Sequence, residues 1–122
     1  MKLHAPAPSG AQVVTAYGDD YVTVNGVRHN QSIVVLPDRV QPWAARSFES
    51  LTEADFAALL QAGAEILILG TGAKQRFPHP RLTAPLARSG IGLEVMTLQA
   101  ACRTYNILVA EERKVAAALL FR

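Results

Sequence analysis

One cysteine, Cys102, is all the thiol this chain of 122 residues holds. It cannot close an internal disulfide, and it cannot form a multi-cysteine metal site. Histidine is nearly as scarce: His4, His29 and His79 are scattered without metal-ligand spacing, so no metal is expected. Charged residues make up only 18%, 12 basic against 10 acidic. That low, balanced charge argues against disorder. Long apolar runs are missing as well. Residues 33–36, 66–69 and 115–121 are strand-length, well short of the roughly 18 residues that suggest a membrane span. The stretch Met1-Lys2-Leu3-His4-Ala5-Pro6-Ala7-Pro8 lacks the apolar core of a signal peptide and the Arg-rich pattern of a transit peptide. A cytoplasmic location is the expectation.

What is present is a globular core. Half the residues are hydrophobic, and the length suits one domain of ordinary size. Residues 1–10 read as a loose arm, and residues 11–122 as a single α/β domain. Residues 12–17 and 21–24 have strand character, separated by the turn residues Gly18-Asp19-Asp20. Asn25-Gly26, between Val24 and Val27, is a strong hairpin signal. Residues 32–36 read as a buried strand stopped by Pro37-Asp38, and residues 40–43 as extended. Trp43 is either core or an exposed anchor.

The second half alternates. A helix is expected over residues 53–62, opened by a capping box from Ser50 with Glu53 or from Thr52 with Asp55. Gly63 suits its left-handed end. Residues 65–69 form an apolar strand of the doubly buried, parallel kind, ended by Gly70-Thr71-Gly72. A short helix falls within residues 80–89, where Pro85 is awkward outside the first turn. Residues 92–96 are a strand. Thr97 then caps a helix running to about residue 109, with Leu98, Ala101, Cys102, Tyr105, Leu108 and Val109 on its apolar face. Residues 114–121 close the chain as a strand, although three alanines there also suit a helix. The order makes the second half of the chain α/β and its front a β meander.

Several residues are candidates for function. Gly70, Thr71 and Gly72 follow a buried strand, where loops of open α/β sheets bind ligands. Gln75 stands where a dinucleotide fingerprint needs its third glycine, and no Gly-Lys-Ser/Thr follows, so neither nucleotide motif is present. A tight strand exit explains the glycines equally well. Thr97 opens a helix whose free N–H groups can hold an anion. Gln99, Arg103 and Asn106 stand at i, i+4 and i+7, a polar stripe expected opposite the core side; an ordinary solvated face explains it too. Asn106 lies too far along the helix from Thr97 to share a small ligand, so its expected role is a hydrogen bond to the backbone of an adjoining loop. Between Gly70 and Arg103 the basic residues are Lys74, Arg76, Arg81, Arg88 and Arg103, against the single acid Glu94. That local field suits an anionic small molecule or an acidic partner. Phe77 beside Arg76 and His79 is too little for nucleic-acid recognition. Cys102, on the apolar face, reads as a buried inert thiol, and Glu111-Glu112 as a solvated turn. The residues themselves imply no catalytic set and no cofactor.

Gly70-Thr71-Gly72, with Gly90-Ile91, Glu94-Val95, Thr97, Ala101-Cys102, Thr104-Tyr105-Asn106, Leu108, Glu111 and Arg113, resembles one known family. It is the family of the mitochondrial complex I assembly factor 3 and the adipogenesis-associated domain protein, and the resemblance runs over residues 11–121. It implies an α/β fold of three layers, a mixed central sheet with helices and an additional β layer from the N-terminal meander; it favours a strand for residues 115–121 and carries no established catalytic residue. It points to a non-catalytic interaction or assembly module with a protein partner. A small anionic-ligand site or enzyme at the Gly-Thr-Gly loop is the alternative. The resemblance also joins that loop and the helix of Thr97, Arg103 and Asn106 into one patch. Two departures stand out. Glu112 takes a position where many members have glycine, and Ala73 one where some have an acid. No mitochondrial presequence is expected, and the assembly role is therefore not expected to transfer intact.

Overall fold

A computed structural model describes residues 1–3 and 8–122. Its front is an antiparallel meander. Strands β1 (Val14–Tyr17), β2 (Val22–Val24) and β3 (Val27–His29) form a three-stranded sheet in that order. Asn25 and Gly26 turn β2 into β3 with φ of 48° and 82°, the paired positive values a two-residue hairpin turn of the primed kind requires. The start of the arm is pinned rather than loose. Leu3 N donates to Thr15 O at 3.1 Å, Tyr17 N to Met1 O at 3.0 Å, and Lys2 bridges Ala16. Residues 4–7 of the arm lie outside the described residues.

A second hairpin joins β4 (Ile33–Leu36) to β5 (Arg39–Pro42). Trp43 falls just beyond it and is core. Its indole N–H donates to Asp55 O at 3.0 Å, and its ring meets Phe56 edge-on at 6.1 Å. Helix α1 (Glu53–Ala58) opens with the Thr52/Asp55 capping box, both of its bonds formed, while Ser50 bonds Ser47 instead. The helix tightens into a 3₁₀ turn over Leu59–Ala62, and Gly63 ends it at φ 66°.

Strands β6 (Ile66–Thr71), β7 (Gly92–Met96) and β8 (Val115–Leu120) alternate with helices α2 (Pro80–Arg88) and α3 (Leu98–Ala110). The central sheet runs β5-β4-β8-β6-β7. Its pairs β8·β6 and β6·β7 are parallel, while β8·β4 and β4·β5 are antiparallel. The mixed sheet that the resemblance implies is therefore present. β6 continues two residues past the expected end, because Leu119 and Leu120 of β8 offer partners to Gly70 and Thr71. Pro85 sits inside α2 rather than in its first turn, where it supplies no N–H to the carbonyl four residues back. It is buried, so packing compensates.

All six residues of β8 are buried, between β4 on one side and β6 on the other. That position decides against the helix its alanines would allow. Two hydrogen-bonded neighbours outweigh a propensity difference of a few tenths of a kcal/mol per residue, about 0.7 at most. Before β8, Glu112 adopts φ 58°. The turn thus takes a left-handed residue at a non-glycine position.

Alternation along the strands divides the core into two faces. Ile33, Val35, Ile68, Val115, Ala117 and Leu119 face α3 and the small sheet. Val34, Leu36, Leu67, Leu69, Ala116 and Leu120 face α1 and α2. The layers are therefore α1 with α2, the central sheet, and α3 with the three-stranded sheet.

Candidate functional site

Neighbouring parallel strands β6 and β7 send their following helices to opposite faces of the sheet: α2 to one, α3 to the other. Ligand crevices of open α/β sheets form where connections diverge in this way. Gly70, Thr71 and Gly72 lie at the end of β6, and Thr97 follows β7, so the fold does bring these segments together.

Each residue has a definite structural task there. Gly70 faces α3, where a Cβ would stand 3.0 Å from the Ala101 Cβ and 3.1 Å from Leu119 Cδ2. Gly72 has φ +79°, and a Cβ would meet the Phe121 carbonyl oxygen at 2.8 Å. Its own carbonyl accepts from Leu98 N at 2.8 Å, which satisfies the first donor of α3. Thr97 Oγ1 accepts from Ala100 N at 3.2 Å and serves as the helix cap. Gly72 and Thr97 share the wall of a concavity of about 430 Å³, together with Met1, Tyr17, Asp19 and Gln99. Among the described residues no lysine or arginine lines it; its charged groups are the Asp19 carboxylate and the Met1 amino terminus, which donates to Tyr17 O at 2.7 Å.

Thr71 is fully buried and turns the other way, with Leu67 and Leu69, toward α1 and α2. Its hydroxyl donates to Lys74 O at 2.5 Å and accepts from Arg76 N at 3.1 Å. Met96 O stands 3.3 Å away. The hydroxyl thus organises the loop after β6 instead of facing the Thr97 concavity.

The helix stripe also divides. Gln99 and Arg103 are exposed, and Arg103 approaches Met1 Sδ at 3.3 Å. Asn106 is buried, contrary to the expected solvent stripe opposite the core. The small sheet covers that flank of α3. Asn106 Oδ1 accepts from Val14 N at 2.9 Å, and Nδ2 donates to Val14 O at 2.8 Å. The backbone bond expected of Asn106 exists, but on β1 rather than on a neighbouring loop. The helical pattern shows one apolar face; the second covering surface comes from a strand 92 residues away.

Cys102 and Tyr105 are fully buried on α3. Burial pushes the thiol from 9.0 up to about 12, so it is a neutral, inert group at physiological pH. Burial first, and the nearby Asp38 carboxylate second, also raise the Tyr105 phenol, whose hydroxyl donates to Gln12 O at 2.7 Å.

The local basic excess is spread over several places. Arg76 is held by Glu49 at 2.7 Å and lies 4.5 Å above the Phe48 ring. Arg88 approaches Glu53 at 3.8 Å. Among the described residues, Lys74, Arg81 and Arg103 have no acidic side chain within ion-pair distance. Sequence reasoning missed the part of Phe48 and Glu49, which reach the loop from a segment more than twenty residues earlier, and of Met1, Tyr17 and Asp19 in the concavity. Nothing in local spacing signals either. A second concavity, of about 500 Å³, opens at the amino end of β8 between Gly10, Leu36, Ala62, Gly63 and Glu112. Among the described residues, no group of three or more His, Cys, Asp or Glu side chains is placed to hold a metal ion.

Residues 14–120 match the model of a family described as "Protein of unknown function (DUF498/DUF598)". The chain belongs to this family. Within and around the DUF498 family, the chain is 33% identical over 112 residues to the mouse NADH dehydrogenase [ubiquinone] 1 alpha subcomplex assembly factor 3. That match covers 90% of the chain but 60% of the relative, so the chain spans about three-fifths of the length of that curated relative. A crystal structure of a Bordetella parapertussis protein superimposes with a TM-score of 0.83 at 41% identity, covering 93% of this chain and 98% of that one. A solution structure from Bordetella pertussis, described as an Mth938-like domain, gives 0.78 at 37% identity over 98% and 92% of the two chains. The fold of this DUF498 member is thus the mixed α/β arrangement of its solved relatives. No helix among the described residues is long and apolar enough to cross a membrane.

Proposed function

We propose that this chain is a non-catalytic interaction module that assists the assembly of a multi-subunit complex, the respiratory NADH dehydrogenase being the first candidate. One observation carries the reading: similarity to a protein named as an assembly factor of that enzyme extends over 90% of the chain. The site chemistry supports it. The polar and nucleophilic groups nearest the strand ends are occupied by the fold: Thr71 with its loop, Thr97 with the helix cap, Asn106 with Val14, and Cys102 by burial. Thr97 and Arg103 remain as the accessible part of the expected patch, with the buried Gly70, Thr71, Gly72 and Asn106 as its support. A small anionic ligand gains no argument from a concavity in whose wall the Asp19 carboxylate offsets the Met1 amino terminus, itself engaged by Tyr17 O.

Deleting the chain in its native cell tests the reading. Assembled NADH dehydrogenase on a native gel, and NADH oxidation by membranes, should both fall and return on complementation. Normal assembly in the deletion strain would exclude that complex as the client.

A further inference from the structure

We infer that the loop between β6 and α2, residues 72–79, with Arg81 beyond it, is a preformed docking surface for an acidic patch on a protein partner, with Phe77 as its apolar anchor. This rests on the interaction reading above and names the surface that would perform it.

Phe77 is 71% exposed, the one aromatic among the large apolar side chains left in solvent in the described residues. A mobile loop could fold such a ring away; this loop is pinned on both sides of it. Before the ring, the buried Thr71 hydroxyl binds Lys74 O and Arg76 N, Gln75 Nε2 donates to Val95 O at 2.9 Å, and Arg76 is clamped between Phe48 and Glu49. After it, His79 Nδ1 accepts from Arg81 N at 3.0 Å, and Pro80 opens α2. The chain therefore uses a buried hydroxyl and an ion pair to hold a phenyl ring in water. Rigid aromatic anchors of this kind dominate protein interfaces, because little ordering entropy remains to be lost on binding.

The surroundings specify the charge of the occupant. Lys74 and Arg81 lie within four residues of Phe77, and neither has an acidic partner among the described residues. The segment from Ala73 to Arg81 contains no acid at all. An acidic rim around an apolar socket complements this arrangement. A fixed geometry suits a shaped protein surface better than a fluid bilayer, which rewards no preorganisation. A single exposed ring offers nucleic acid no row of stacking platforms.

The test places a photo-crosslinking phenylalanine analogue at position 77, and at the exposed Ile107 as comparison, in the full chain in its native cell. The crosslinked partner is then purified and titrated against the unmodified chain. The expected result is a crosslink from position 77 into a segment rich in Asp and Glu. Phe77→Ala and the double substitution Lys74→Glu with Arg81→Glu should each weaken the dissociation constant at least tenfold. Restoration of binding by Lys or Arg in the partner segment, against the charge-reversed chain, would support the pairing directly. Phe77 is exposed, so its replacement leaves folding intact, as a thermal melt verifies. A partner captured from position 107 alone, or an affinity unchanged within twofold by Phe77→Ala, overturns the surface while leaving the interaction reading standing. Phe77-dependent binding to phosphatidylglycerol vesicles or to single-stranded RNA, with no protein crosslink, overturns it in favour of that other occupant. No protein captured at either position, together with normal complex assembly in the deletion strain, overturns both.

Discussion

The carboxamide of Asn106 pairs with the backbone of Val14 through two hydrogen bonds, accepting from its N–H at 2.9 Å and donating to its C=O at 2.8 Å. A side chain on α3 thus takes the place of a strand at the edge of β1 and locks the small sheet onto the helix. Replacing Asn106 with Ala leaves both buried backbone groups unpaired, and each such group costs about 1–3 kcal/mol. A loss of roughly 2–6 kcal/mol in urea unfolding is therefore expected. Arg103→Ala, at an exposed position of the same helix, should change stability by no more than about 0.5 kcal/mol. Equal effects of the two would remove the lock from the account.

Gly70 and Gly72 are required for different reasons and should fail differently. At Gly70 a methyl group crowds two side-chain atoms at 3.0 and 3.1 Å, and overpacking of this sort costs about 1–3 kcal/mol. At Gly72 the methyl group meets a fixed carbonyl oxygen, and φ +79° adds left-handed strain of about 1–2 kcal/mol. Gly72→Ala should be the more damaging of the two by chemical denaturation. The opposite order would show that α3 cannot yield.

Glu112 offers a gain. Its φ of 58° carries a left-handed penalty of about 1–2 kcal/mol, while glycine there surrenders about 0.5–1 kcal/mol of chain entropy. Glu112→Gly should raise stability by several tenths of a kcal/mol, read as a higher melting temperature. Glu112→Val, with a β-branched side chain at the same φ, should lower it. A glycine variant that melts earlier than the parent contradicts the strain argument.

Stability should fall at alkaline pH. The Cys102 thiol is held protonated in the folded chain up to about 12, against 9.0 in an unstrained thiol, and Tyr105 is shifted in the same direction. Above pH 9.0 the unfolded chain loses a proton from Cys102 that the folded chain retains. Each such group removes about 1.4 kcal/mol per pH unit. The stability is whole below pH 9.0 and drains away toward about 12. Cys102→Ala should make the decline between pH 9 and 11 shallower, even though it leaves a small void. Reaction of Cys102 with a disulfide reagent at pH 8 should track global unfolding; rapid labelling of the folded chain would contradict its burial.

Local chemistry wrote much of this structure into the chain. Asn25-Gly26, the Thr52/Asp55 box, the Gly63 terminus, the Thr97 cap and the strand periods each express an interaction between residues a few positions apart, so they survive any tertiary context. Three outcomes needed the assembled fold. The alanines of β8 became strand because β4 and β6 flank them on both sides. Thr71 turned away from Thr97 because strand alternation put it on the α1–α2 face. Asn106 was buried because a meander from the other end of the chain covered the flank of α3. Helical spacing reports which residues share a face, but not how many surfaces pack against a helix. That number is set by elements distant in sequence, through burial and hydrogen-bond demand that only the folded chain can satisfy.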